Sequence, residues 1–229
     1  MVRIKIFADG ADLGQMKEAA KNPLVQGFTT NPTLMKKAGV RDYKEFALRA
    51  IQAFPDYPLS LEVFAYDFYA MELQAHKIAS WGQNVYVKIP VCNTEGVSSA
   101  LLISRLVLAG IKVNVTAILS HDQIPEVFGV LGHVPSIVSI FARRIADTGR
   151  NPVDFINHAL ALKRSPFHEV LWASPRQVLD VYTAEKCGCD IITCTPEIIG
   201  KLTLMDKDLS EYSVETVKMF YEDGRGYSL

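Results

Sequence analysis

The sequence predicts a single-domain α/β protein: one (β/α)8 barrel over residues 1–229, carrying an extra C-terminal helix. Three observations predict it. Short runs rich in Val, Ile and Leu recur eight times, helical patterns separate them, and no linker, low-complexity segment or charge block divides the chain. Eight strand–helix units are the number that closes a parallel barrel, and 229 residues suffice for one. An open doubly wound sheet is the competing topology. It is disfavoured because no Gly-x-Gly-x-x-Gly follows the first strand.

In chain order the apolar runs are VRIKIF, LVQGF, PLSLEVF, VYVKIP, IKVNVTAIL, VPSIVSIF, HEVLWAS and DIITC. Between them lie helical stretches such as DFYAMELQAHKIASWG. The segments TEGVSSALLISRLVLAG and SPRQVLDVYTAEKCG are expected to open on the cap residues Thr94 and Ser174 and to close on Gly110 and Gly188. Asn31-Pro32 reads as a helix start, since proline keeps the preceding residue out of helical geometry and suits the first helical position itself.

Composition narrows the class of function. Lys and Arg total 24 against 25 Asp and Glu, a net charge of −1, so neither a basic nucleic-acid face nor an acidic tail is expected. No apolar run approaches the roughly 18–20 residues of a membrane span. The opening MVRIKIFADG enters a strand directly and has no secretory signal pattern, so a cytoplasmic protein is expected. Cys187, Cys189 and Cys194 cluster, but without a Cys-x-x-Cys pair or nearby histidine they read as small buried thiols rather than metal ligands.

Active sites of this fold sit at the C-terminal ends of the strands. The polar residues ending the runs are Asp9; Thr29, Thr30 and Asn31; Glu62; Lys88; Asn114 and Thr116; Ser139; Ser174; and Thr193 or Thr195. Two carboxylates, a lysine and several amides and hydroxyls would thus converge on one mouth, where burying them unpaired costs a few kcal/mol each. Lys88 stands out, because lysine inside an apolar strand is rare unless it is paired or functional. Loss of water around an ammonium favours the neutral amine, which can attack a ketone and form a Schiff base. Asp9 and Glu62 suit the proton transfers that follow, with Thr116 holding a water. Bland readings stand beside these: Asp9 as a helix cap, Glu62 as an ion-pair partner of Lys88, Asn31 as a cap only. Arg143 and Arg144 follow the sixth strand, where a guanidinium suits an anionic substrate end.

With these residues placed, the chain resembles the small transaldolase and fructose-6-phosphate aldolase subfamily. The matching pieces, IFADG, GFTTNPTLM, SLEVFA, VYVKIPV, GIKVNVTAILS, SIFARRI and FYEDGRGYSL, come in family order over almost the whole chain. The resemblance implies a class I Schiff-base mechanism with no cofactor and no metal. Lys88 matches the Schiff-base lysine, Asp9 the acid/base, and Glu62 with Thr116 the pair holding the catalytic water. Thr29, Asn31 and Ser139 match positions that meet substrate, Asn114 at its strand end is expected to join them, and Arg144 matches the phosphate-binding arginine. Glu62 and Phe141 stand where the aldolases carry glutamine and tyrosine, so the resemblance implies transfer of a dihydroxyacetone unit rather than its release. The partners implied are a ketose donor and an aldehyde acceptor bearing an anionic group. The chain departs from the pattern at WASPRQ, where the loop after the seventh strand is short. Ser174 remains and Arg176 is expected to replace a lost base; a sulfonated ketose is then the alternative to a phosphorylated one.

The segment from Asp208 onward carries Val214, Val217, Phe220 and Tyr221 on one helical stripe. The family exchanges this segment between subunits, so a homo-oligomer, specifically a decamer, is expected; packing on its own subunit is the alternative.

Overall fold

The computed structural model describes residues 2–227. Its elements run β1 (Lys5–Asp9), α1 (Leu13–Ala20), β2 (Val25–Thr29), α2 (Pro32–Lys37), α3 (Tyr43–Ala53), β3 (Leu59–Glu62), α4 (Phe68–Ala79), β4 (Val85–Pro90), α5 (Ala100–Leu108) and β5 (Val113–Ile118). They continue as α6 (Gln123–Val130), β6 (Ser136–Ile140), α7 (Ala142–Ala146), α8 (Pro152–Leu162), β7 (His168–Ala173), α9 (Val178–Lys186), β8 (Ile191–Cys194), α10 (Pro196–Lys201) and α11 (Leu209–Gly224). The eight strands pair in sequence order, all parallel, and β8 closes on β1. The predicted (β/α)8 barrel is therefore the fold.

Two layers of core follow from strand alternation. Outward residues such as Ile6, Leu61, Val87 and Val115 are fully buried beneath the helices. Inward residues form a second cluster: Phe7, Ile137, Leu171, Ala173 and Ile191, with Tyr86 and Phe141 packed against it. Gly27 makes room for this plug. A Cβ there would lie 2.6 Å from the Phe7 ring, so any larger residue at position 27 would displace the ring that fills the barrel.

Register then sets the site. Glu62 on β3 pairs with Lys88 on β4, and Lys88 with Asn114 on β5, so the ladder puts three of the candidate site residues abreast. Asp9 on β1 is level with Thr29 on β2. Two loops carry an additional helix: α2 after β2 and α7 after β6, both short. Asn31 caps α2 by accepting from the Leu34 amide at 2.9 Å, with Pro32 at the first helical position. Asp9 is not a cap; α1 is capped by Asp12, which accepts from the Gln15 amide.

Two expected caps move. The helix after β4 begins at Ala100 with Ser99 as its cap, not at Thr94. Asn93 accepts from the amides of Glu95 and Val97 and Gly96 takes φ +79°, so a turn occupies the segment first. Ser174 lies at φ +60°, a left-handed conformation no N-cap adopts. Gln177 caps α9 instead, and the Asp180 carboxylate accepts from the amides of Arg176 and Gln177. Gly110 and Gly188 do terminate their helices, at φ +79° and +82°.

The C-terminal helix α11 forms as expected, but none of its residues is buried. Val217 and Phe220 are each 63 % exposed and Tyr221 68 %. Among the described residues nothing buries the stripe. Ser228 and Leu229, the end of GRGYSL, lie outside the described residues.

Candidate active site

A cavity of about 700 Å³ opens at the C-terminal ends of the strands. Of the residues singled out in the sequence, Asp9, Thr29, Asn31, Glu62, Lys88, Asn114, Thr116, Ser139, Phe141, Arg144 and Ser174 all line it. Arg176 does not.

Lys88 is 7 % exposed. Its Nζ donates to the Thr30 carbonyl at 2.8 Å and pairs with Glu62 Oε2 at 3.0 Å. This contact is the ion pair that the bland reading of Glu62 expects: the carboxylate compensates the buried ammonium. Asp9 lies close enough to feel both charges. Burial pushes its carboxyl above the usual carboxylate range, the charge of Lys88 and a hydrogen bond from Thr29 pull it down, and Glu62 raises it again. The site therefore pairs one ammonium with one carboxylate and keeps a second carboxyl, with an increased hold on a proton, within reach of its charge.

The hydroxyls and amides divide into engaged and free. Thr29 donates to Asp9 Oδ1 at 2.8 Å, so its hydroxyl is already committed. Ser139 donates to Asn114 Oδ1 at 2.6 Å, and Asn114 Nδ2 donates to Ser60 at 3.0 Å, a chain joining β6, β5 and β3. Thr116 differs. Its hydroxyl is buried without a partner, beside Ala117 at φ +63° where the β5–β6 register slips. An orphaned buried hydroxyl in a cavity wall calls for a water or a ligand atom.

The mouth is cationic. Lys37 from α2 and Arg143 and Arg144 from α7 line it, with one carboxylate, Asp147, beside them. Asp147 takes two cations: Arg176 at 2.9 Å and Arg143 at 3.7 Å. Among the described residues Arg144 makes no ion pair, and it remains available for an anion. Arg176, expected to replace a lost base, does not line the cavity; its guanidinium is bound to Asp147, which does.

Sequence reasoning passed over Lys37, Ser60 and the Phe7–Gly27 plug. Only the lysine pair ending TTNPTLMKK hinted at Lys37. The other two depend on which side chains meet across the lumen, which no local pattern reveals.

A closed parallel barrel whose strand ends gather a buried lysine, two carboxylates and a cationic rim belongs to the (β/α)8 class that builds catalytic sites at this face. The chain belongs to the transaldolase/fructose-6-phosphate aldolase family, whose model matches residues 6–226. Among similar proteins is a probable transaldolase of Dehalococcoides mccartyi, 33 % identical over 201 residues that cover 87 % of this chain and 90 % of the relative. A probable transaldolase of Methanococcus maripaludis is 35 % identical over 203 residues, covering 87 % and 89 %. One from Clostridium botulinum is 32 % identical over 222 residues, covering 96 % and 98 %. The barrel is also similar to solved structures of low identity, which bear on the fold alone. 3-Hexulose-6-phosphate synthase from Salmonella typhimurium aligns with a TM-score of 0.61 at 14 % identity, over 84 % of this chain and 89 % of that one. KGPDC from Streptococcus mutans gives 0.57 at 12 % identity, over 86 % and 90 %.

Proposed function

We propose that this protein is a transaldolase that moves a three-carbon dihydroxyacetone unit from an anionic ketose to an aldehyde through a Schiff base on Lys88. The observation that carries the reading is the buried Lys88–Glu62 pair, level with each other on adjacent strands at the mouth, with Asp9 facing them. A binding barrel would gain nothing from a desolvated ammonium paired with Glu62 and facing a second, buried carboxyl.

The steps follow from the groups present. Lys88 passes a proton to a neighbouring carboxylate, and Asp9, whose hold on protons burial strengthens, is suited to take it. The free amine adds to the ketone carbon. The proton that Asp9 took passes, through a water held by Glu62 and the unpartnered Thr116 hydroxyl, to the carbinolamine hydroxyl, which leaves as water as the iminium forms, so Asp9 is ionised again. Asp9 then removes the proton from the hydroxyl on the far carbon, the carbon–carbon bond breaks toward the iminium, and an aldehyde leaves. The enamine left on Lys88 adds to the acceptor aldehyde by the reverse sequence, and hydrolysis frees the amine. Asn31 keeps its Nδ2 for a substrate hydroxyl while its Oδ1 caps α2. The Asn114–Ser139 pair offers an already oriented polar wall. Arg144 takes the anionic end, aided by Lys37 at the rim.

Glu62 and Phe141 favour transfer over release. Phe141 packs half-buried beside the inner cluster and has no hydroxyl with which to protonate the enamine. A second reading, a 6-sulfonated in place of a 6-phosphorylated ketose, is favoured by the short loop: Arg176 is held by Asp147, leaving fewer cations for a dianion. The test is the Glu62→Gln, Phe141→Tyr double variant, assayed with phosphorylated and sulfonated ketoses with and without an acceptor aldehyde. It is expected to release free dihydroxyacetone where the parent transfers. Unchanged transfer without release would remove these positions from the account.

We further propose assembly as a decamer of two paired rings in which α11 packs on a neighbouring subunit. The support is its exposed stripe, since leaving Val214, Val217, Phe220 and Tyr221 in water forgoes about 1.5–3 kcal/mol for each fully covered side chain.

A further inference from the structure

Strand β1 lies between β2 and β8, and Asp9 stands at its end. The Thr29 hydroxyl on β2 donates to Asp9 Oδ1 at 2.8 Å and also meets the Thr193 hydroxyl on β8. Thr29 is 3 % and Thr193 6 % exposed, and both face the cavity. Each hydroxyl has one proton to give and can accept from others. An ionised Asp9 only accepts, so the Thr29 proton points at Asp9. The proton between the two threonines is then that of Thr193. If Asp9 takes up a proton on Oδ1 it becomes a donor, and the two hydroxyls reverse together. Thr29 then donates to Thr193, whose proton turns into the cavity it lines. Neither state orphans Thr29, the hydroxyl in direct contact with the carboxyl.

We propose that Thr193 is a positioning residue for the proton-transfer step, acting through Thr29 to orient the Asp9 carboxyl and to let its proton come and go. This rests on the reading of Asp9 as the acid/base of the reaction. Asp9 otherwise faces Lys88 from β4, Glu62 from β3 and Cys194 from its own neighbour β8. Burial pushes the Cys194 thiol up to about 12, so it stays neutral over the working range. Lys88 and Glu62 act on Asp9 with opposite signs, which leaves the hydroxyl pair as the uncharged adjustment. Thr193 is the last residue but one of the eighth strand, an ordinary β-branched position, and only the barrel closure brings it to Thr29.

Thr193→Val keeps the shape and removes the hydroxyl; Thr193→Ser keeps the hydroxyl. Two readouts are paired. The first is titration of the Asp9 carboxyl in the full-length resting protein, by carbon NMR on labelled aspartate with Asp9→Asn to assign the signal. The second is the pH profile of transfer. The valine variant is expected to titrate at lower pH, because protonated Asp9 then leaves the Thr29 proton without an acceptor, and its acid limb moves down by at most about one pH unit. Its plateau kcat falls roughly tenfold, because Asp9 takes up the proton less readily, short of the 10²–10⁴ carried by a general acid–base group itself. Serine restores both. A valine variant that titrates like the parent overturns the proposal, as does a loss equal at all pH values that serine fails to restore. Should valine not fold, Thr193→Ala carries the same expectations. If the parent protein fails to transfer, the functional reading falls, while the resting titration still decides whether Thr193 acts on Asp9.

Discussion

At the barrel mouth, Lys88, Glu62 and Asp9 are charged groups drawn inside; on α11, Val217, Phe220 and Tyr221 are apolar groups left outside. The two regions invert the usual partition in opposite directions, and they are resolved differently. The buried charges find partners within the chain: Lys88 has Glu62 and the Thr30 carbonyl, and Asp9 has Thr29. The apolar stripe finds none, and α11 buries no residue. A charge cannot be left unpaired in a barrel without several kcal/mol of cost, so its compensation is built in. An exposed apolar stripe costs less, can wait for a partner, and points outward to one. Chemistry in this molecule is read from what is satisfied inside, and assembly from what is unsatisfied outside.

Removing α11 breaks the comparison most completely. A chain ending at Asp206 is expected to fall from ring-type assemblies to monomers in light scattering, while the barrel keeps its circular dichroism. A full-length monomer, or a truncated form of unchanged mass, would mean that the stripe is not an interface.

The next largest effect concerns the inside. Asp9→Asn is expected to lower turnover by about 10²–10⁴. Its stability should move the other way. Burial raises the Asp9 carboxyl above its unfolded value, so folding favours the protonated form over the ionised one relative to the unfolded chain. The favourable contribution is present below the ordinary carboxylate pKa and is lost as pH rises through the raised one. The asparagine variant should therefore melt at or above the parent at pH 7, with the difference closing below about pH 4. A variant destabilised at neutral pH and equal at acid pH would show that ionised Asp9 supports the fold.

A smaller effect is expected at the rim. Arg144→Ala should cost about 1.5–3 kcal/mol in kcat/KM for a ketose with an anionic end and little for a neutral analogue. Arg176→Ala should not show this selectivity, because that guanidinium is spent on Asp147. Equal losses on charged and neutral substrates would make Arg144 structural.

The barrel was legible because each strand carries its own signal: a short β-branched run ended by a polar residue. Strand ends named the site for the same reason, and Lys88, Glu62 and Asn114 came out side by side because parallel pairing puts equivalent positions level. The caps at Thr94 and Ser174 were misplaced where turn chemistry competes: an Asn93–Gly96 turn in one case, a left-handed Ser174 before Pro175 in the other. The Thr29–Thr193 contact, the Ser60–Asn114–Ser139 chain and the fit of Phe7 over Gly27 were not legible, since each joins strands far apart in sequence. The engagement of Arg176 by Asp147 depends on the path of one shortened loop.

The central claim is that Lys88 is the nucleophile. The direct measurement is borohydride reduction of the full-length protein with a ketose donor, followed by peptide mass spectrometry. The account predicts one reduced three-carbon or whole-ketose adduct, on Lys88, absent from Lys88→Met. An adduct on Lys37, Lys36, Lys112 or any other lysine, or none at all under conditions of active transfer, would contradict it.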